Sequence, residues 1–217
     1  DHSIGVTLLQ SASKYNKENG SMSEQNVLIP EFLWNNMGLI DITSAKYAAS
    51  MGTGLTESQL ASYMARINYS FKDRYLLTVS GRYDGSSVLA EGNKWDFFPS
   101  AALGWRIDQE DFMKDIKAIS NLKLHTSFGI TGNSEIDPYQ SLSTVTTGTL
   151  LQGGTRVPYS YANKFSNKDL KWEKTAQFDF GFNLGLFQDR LNFDVSYYHK
   201  KTTDLLLDCP VPHSTGY

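Results

Sequence analysis

From Ala61 to Asp84 apolar and polar residues alternate in two runs joined by Lys72, Asp73 and Arg74. In the first run Ala61, Tyr63, Ala65, Ile67, Tyr69 and Phe71 are apolar, and Ser62, Met64, Arg66, Asn68, Ser70 and Lys72, which alternate with them, are mostly polar. In the second, Tyr75, Leu77, Val79, Gly81 and Tyr83 share one face, opposite Thr78, Ser80, Arg82 and Asp84, with Leu76 breaking the polar set. A period of two means a strand with one greasy and one wet face, and two such runs around a tight turn predict an antiparallel hairpin. Each run is about ten residues long, beyond the usual ~5–6 of soluble sheets and near the ~9–11 of a tilted membrane-spanning strand.

The same pattern predicts five more strands. They lie at Ser3 to Tyr15, Trp95 to Asp108, Leu122 to Thr131, Trp172 to Phe187 and Leu191 to about Leu206. Pro99 cannot donate to a ladder and marks a bulge or rim position. The connections alternate in length. Residues 72–74, a compact connector at 109–121 and the turn at 188–190 are short, whereas 16–58, 85–94 and 132–169 read as longer loops, two of them very long. In a meander all compact turns then fall at one end and all long loops at the other, as in outer-membrane barrels. The fold expected is all-β, an antiparallel up-and-down meander forming part of a transmembrane β-barrel.

Composition leaves that reading intact. Hydrophobic residues make up 40% of the 217 and charged residues 20%, and alternation hides a lipid-facing surface from mean hydropathy. No run approaches the ~18 apolar residues of a membrane helix. A net charge of -3 gives no electrostatic case for nucleic acid. The single cysteine, Cys209, has no partner for an internal disulfide.

Catalytic and metal chemistry find no support in the pattern. His2, His125, His199 and His213 are far apart, without the spacing of a zinc helix. Asp108, Glu110 and Asp111, and separately Glu135 and Asp137, lack a calcium-loop ligand series and read as solvated acidic turns. Gly52-Thr53-Gly54 and Gly153-Gly154 lack the flanking strand and helix of a phosphate cradle and read as loop flexibility. No enzyme, cofactor or metal is expected.

Several short runs carry a resemblance. Tyr83-Asp84-Gly85-Ser86-Ser87, Phe97-Phe98-Pro99-Ser100, Gly104-Trp105-Arg106, Gly129-Ile130-Thr131-Gly132-Asn133 with Pro138-Tyr139, Leu170-Lys171-Trp172-Glu173-Lys174-Thr175 and Tyr197 to Leu206 occur in that order. Together they resemble the SusC/RagA family of TonB-dependent outer-membrane transporters over about Gln59 to Leu206. The resemblance implies import of a large nutrient, an oligosaccharide or peptide, with a SusD-like surface lipoprotein as partner and TonB as the energy source. Such barrels are ~22-stranded and plugged. Seven strands cannot close so wide a cylinder, and no plug domain, TonB-contacting segment, signal peptide or closing strand is recognisable. Residues 1–217 are therefore expected to be a segment of a longer barrel chain in the bacterial outer membrane, in contact with its lipid.

Two groups of candidate site residues follow. Arg66, Arg82, Asp84 and Arg106 lie on wet faces and are expected to face the lumen. Trp34, Tyr139, Tyr159 and Tyr161 lie in the long loops, where aromatic faces suit the apolar face of a sugar ring. Tyr69, Phe71 and Tyr75, at the short-turn end, suit an interfacial girdle. The competing reading is a soluble or surface-exposed antiparallel binding or adhesive protein, in which the greasy faces meet a second sheet of the same chain.

Overall fold

A computed structural model describes residues 1–24, 49–116, 118–164 and 166–207. Two compact units divide the chain, one comprising Asp1–Ser13 with everything from Gln59 onward, the other Lys14–Ser58.

Among the described residues nine strands are formed: β1 His2–Glu24, β2 Ala49–Phe71, β3 Tyr75–Ser86, β4 Trp95–Arg106, β5 Ile119–Asn133, β6 Thr144–Gln152, β7 Thr155–Lys164, β8 Glu173–Leu186 and β9 Leu191–Thr203. Seven of them make one sheet in the order β1-β2-β3-β4-β5-β8-β9, while β6 and β7 pair only with each other. Every register determined is antiparallel. The expected meander is present, and its seven strands are those the alternation predicts.

The largest differences from the sequence reading lie in the two very long intervals. The first strand runs on past Tyr15 to Glu24, and β2 begins at Ala49, so much of 16–58 is strand. Within that second unit Lys14 pairs with Glu57 at 3.2 Å, and the Ser21 hydroxyl donates to the Gly52 carbonyl at 3.5 Å. Alternation fails there because where both faces of a ribbon meet water, a period of two is not required. The interval 132–169 likewise contains the β6–β7 hairpin, turned at Gly153 and Gly154, both with positive φ. That Gly-Gly pair is a hairpin signal rather than flexibility alone.

Register sorts the side chains of the large sheet into rows. On one face Tyr69 sits opposite Leu77, Leu77 opposite Leu103, Leu103 opposite Thr126, Thr126 opposite Phe180 and Phe180 opposite Tyr197. On the other, Asn68, Thr78, Ala102, Ser127, Asp179 and Tyr198 form the parallel row. Leu76, the apolar intruder on the wet face, lies opposite Gly104, where the missing side chain leaves it room. The apolar face stays uncovered: Tyr63, Ile67, Leu103 and Val195 are each half or more exposed. A soluble sheet would bury such residues at roughly 1.5–3 kcal/mol apiece. Among the described residues no second sheet covers this face, as the soluble alternative would require.

Aromatic residues collect at both ends of this face. At the compact-turn end, His2 lies 4.7 Å from Phe71, Phe71 lies 6.3 Å from Tyr75, and Tyr75 stacks on Trp105 at 6.3 Å, ring centroid to centroid. At the other end Trp95 stacks on Tyr63 at 6.2 Å and on Tyr83 at 5.0 Å. From Trp95 to Trp105 the strand rises about 33 Å, or about 25 Å along the normal at the ~40° tilt of barrel strands. That matches the ~25 Å apolar band between the aromatic girdles of outer-membrane barrels.

Among the described residues the buried cluster lies at the long-loop end, where loop residues pack on the sheet. Val88 and Leu89, from the β3–β4 loop, meet Phe98 and Trp172, with Ile130, Ile136 and Leu170 packed around them. Trp172 donates its indole N–H to the Lys94 carbonyl at 3.0 Å, and the Ala90 amide donates to the Leu170 carbonyl at 3.1 Å. The segment 85–94, polar on first reading, is thus anchored by its three central apolar residues.

Candidate functional site

The wet face of β2, β3 and β4 carries the polar side chains that a lumen wall needs, and the register decides which of them meet. Met64 is paired with Arg82 and Arg66 with Ser80, so the two arginines are diagonal neighbours on adjacent strands. Arg82 is fixed. Its Nε lies 2.7 and 2.8 Å from the two Asp84 carboxylate oxygens, and its Nη2 donates to the Ser62 hydroxyl at 3.0 Å. Ser62 is wholly buried and Asp84 nearly so. A buried carboxylate needs such a partner, because an unpaired charge out of water is costly.

A second acid explains why that pairing matters. Asp84 lies directly opposite Asp96 on β4, and like charges facing each other across a ladder repel. Arg82 neutralises the first, while Lys174 neutralises the second at 2.6 Å.

Arg66, Arg82 and Asp84 line one recess of about 600 Å³, together with Ser80, Ser100 and Glu135. Phe98 and Trp172 bring the edge of the buried cluster to the same recess. Gly132 also borders it, and a side chain there would collide with the Phe98 ring. Arg106 is not part of it. It sits at the compact-turn end of β4, where its Nη2 is 3.4 Å from Asp108.

The loop aromatics divide as well. Tyr159 and Tyr161 point to the same face of β7 and stack, 6.1 Å between centroids and 12° between planes. Tyr159 lies over Gly148 of β6, where any side chain would strike its ring. The result is a flat, exposed two-ring platform. Tyr139 lies apart in the turn after β5, at a φ of 67°, and Trp34 lies outside the described residues.

One cluster passed over as a solvated acidic turn is an organised latch. Glu110 is buried and accepts hydrogen bonds from the Tyr75 hydroxyl at 2.8 Å, the Trp105 indole at 3.0 Å and Arg74 at 3.0 Å. Arg74 also reaches Asp111, which Lys114 holds at 2.6 Å. The hydrogen bonds from Tyr75 and Trp105, with the Arg74 charge, hold the Glu110 carboxyl below its ordinary value. Lys114 first, then Arg74, does the same for Asp111. Alternation does not register this convergence, because Trp105 lies five residues and Tyr75 thirty-five residues before Glu110 in the chain.

With the geometry in place, comparison with known proteins becomes decisive. A family model described as "TonB dependent receptor-like, beta-barrel" matches residues 10–217. The chain belongs to that family. The family places it in the outer membrane and identifies the sheet as part of a transmembrane barrel. Its SusC/RagA character follows from individual relatives. The TonB-dependent receptor SusC of Bacteroides thetaiotaomicron is 40% identical over 167 residues, covering 75% of this chain and 17% of that protein. TonB-dependent receptor P26 of Formosa agariphila is 40% identical over 159 residues, 73% of this chain and 16% of that protein. Among solved structures, the RagAB peptide importer in its "open-open" state matches with a TM-score of 0.78 and 27% identity, over 99% of this chain and 23% of that one. The "closed-closed" state gives 0.78 and 26% over 100% and 23%. The chain therefore spans about a sixth of the length of the curated relatives it matches.

Proposed function

We propose that this chain is a barrel-wall segment of a TonB-dependent importer that brings a large nutrient, an oligosaccharide or a peptide, across the outer membrane. The observation that carries the reading is the two-faced sheet: an uncovered apolar face between two aromatic rows, and a wet face lined by Arg66, Arg82 and Asp84. Kinship with proteins named TonB-dependent receptor and with a peptide importer supports it. The segment acts as scaffold and lumen wall rather than as an enzyme. The rest of the transporter, including a plug and the segment that engages TonB, belongs to a longer chain, and a SusD-like lipoprotein lids its outer face.

In this reading the Tyr159–Tyr161 platform stands at the long-loop, external end and contacts nutrient through flat apolar surface, with Tyr139 and Trp34 as further loop aromatics. Arg106 faces the lumen near the compact-turn end. Deleting the gene in its host and measuring uptake of labelled oligosaccharides and peptides tests the proposal. Loss of uptake of one class, restored by the wild-type gene but not in a strain without TonB, is expected. Unchanged uptake of every class would overturn it.

A further inference from the structure

We infer that the recess beside Arg66 is a subsite for a carboxylate on the transported nutrient, an inference that rests on the transporter reading above. Among the described residues, Arg66 makes no ion pair or side-chain hydrogen bond, whereas Arg82 has its charge matched by Asp84 and one nitrogen committed to Ser62. The hydroxyls nearest Arg66 in register, Ser80 and Ser100, satisfy each other at 2.7 Å. The inner wall of the recess thus carries one unmatched positive charge on an exposed guanidinium. Its fork of donors fits a carboxylate in bidentate fashion.

Arg82 adds to the site without being able to leave it. Clamped by Asp84 and Ser62, it keeps part of its surface exposed toward the same recess, beside Arg66. Glu135 supplies the opposing charge at the border. Its amide is tied to the Asn133 side chain at 3.0 Å, and its carboxylate remains exposed. A carboxylate is therefore drawn to the Arg66 side, and a second anionic group near Glu135 is disfavoured. An open recess of about 600 Å³ has room for at least one residue or sugar unit of a larger nutrient.

Two sources offer that carboxylate, an acidic peptide and a uronic-acid oligosaccharide, and paired probes distinguish them. The full-length protein is assayed in cells for uptake of a C-terminally amidated glutamate tripeptide against its equally amidated glutamine isostere, and of a galacturonate oligomer against the neutral galactose oligomer. Wild type is expected to favour the acid in one pair by about ten- to a hundredfold, the usual range for a charge-assisted hydrogen bond. Arg66→Gln brings that ratio to about one, and Arg66→Lys, which keeps the charge but not the fork, retains an intermediate preference. Outer-membrane levels of each variant are measured alongside. A wild type that transports both members of each pair equally would overturn the subsite while leaving the transporter intact. So would an Arg66→Gln variant in which both members fall together, since Arg66 would then pair with another part of the same chain. Absence of all uptake would instead remove the transporter reading itself.

Discussion

Replacing Trp172 tests whether the buried cluster at the long-loop end holds the β3–β4 loop in place. The indole is 3% exposed, packs edge-on against Phe98 with ring centroids 5.3 Å apart, and donates to the Lys94 carbonyl. Trp172→Ala removes the ring and leaves a cavity, a change that costs roughly 3–5 kcal/mol in packed sites. Trp172→Phe keeps most of the ring but loses the hydrogen bond. Because the Ser86 amide also donates to the Lys94 carbonyl, at 3.0 Å, no orphaned acceptor results, and the cost falls to about 0.5–1.5 kcal/mol. Hydrogen exchange followed by mass spectrometry, on the full-length protein in lipid nanodiscs, reads the difference at the Ala90 amide, which bonds across to Leu170. Where opening is rapid and reversible, exchange there should rise about a hundredfold or more in Trp172→Ala and about two- to tenfold in Trp172→Phe. An Ala90 amide as protected in Trp172→Ala as in wild type would refute the argument that this cluster anchors the loop.

Other predictions follow from single contacts. Gly132→Ala places a methyl group into the Phe98 ring and should destabilise the same region by about 1–3 kcal/mol, as overpacking does, seen as faster exchange in 88–90. The Glu110 latch should be pH-sensitive. Its carboxyl titrates below the ordinary carboxylate value in the folded protein, so the stabilisation is complete above that ordinary value and is lost as pH falls through the depressed folded one. Protection in 107–116, taken relative to the intrinsic exchange rate at each pH, should therefore fall on acidification, and Glu110→Gln should blunt that response; an identical protection profile in the variant would contradict the assignment. Tyr159→Ala or Tyr161→Ala should each weaken oligosaccharide binding to the full-length protein by about 0.5–1.5 kcal/mol if the platform stacks on sugar, measured by titration calorimetry.

Alternation made the large sheet legible because each strand separates two unlike environments, and a period of two records that separation residue by residue. Where both sides of the backbone meet water the record vanishes, which is why the strand at residues 16–23, 52–58 and 144–161 escaped it. Three-dimensional convergence is invisible to it for another reason. Val88, Leu89 and Trp172 come from loops and strand ends far apart in the chain, and Glu110 gathers its donors from β3, β4 and the compact turn. Of the site residues, the grouping of Arg66, Arg82 and Asp84 follows from hairpin register, since the turn at 72–74 fixes which residues face each other. The separation of Arg106 follows equally, because it stands at the opposite end of its strand. The stacked geometry of Tyr159 and Tyr161 required knowing that 155–164 is a strand.

A sheet with one face on lipid and the other on a water-filled lumen shows that division residue by residue along each strand. Single cysteines placed in turn at positions 63 to 68, with Cys209 replaced by serine, carry a spin label in the full-length protein reconstituted in lipid bilayers. Accessibility to oxygen, which partitions into lipid, and to a water-soluble nickel chelate is then compared. The account predicts a period of two, with oxygen favoured at 63, 65 and 67 and the chelate at 64, 66 and 68. Low access of both reagents at the odd positions would mean that they pack against protein, and would contradict it.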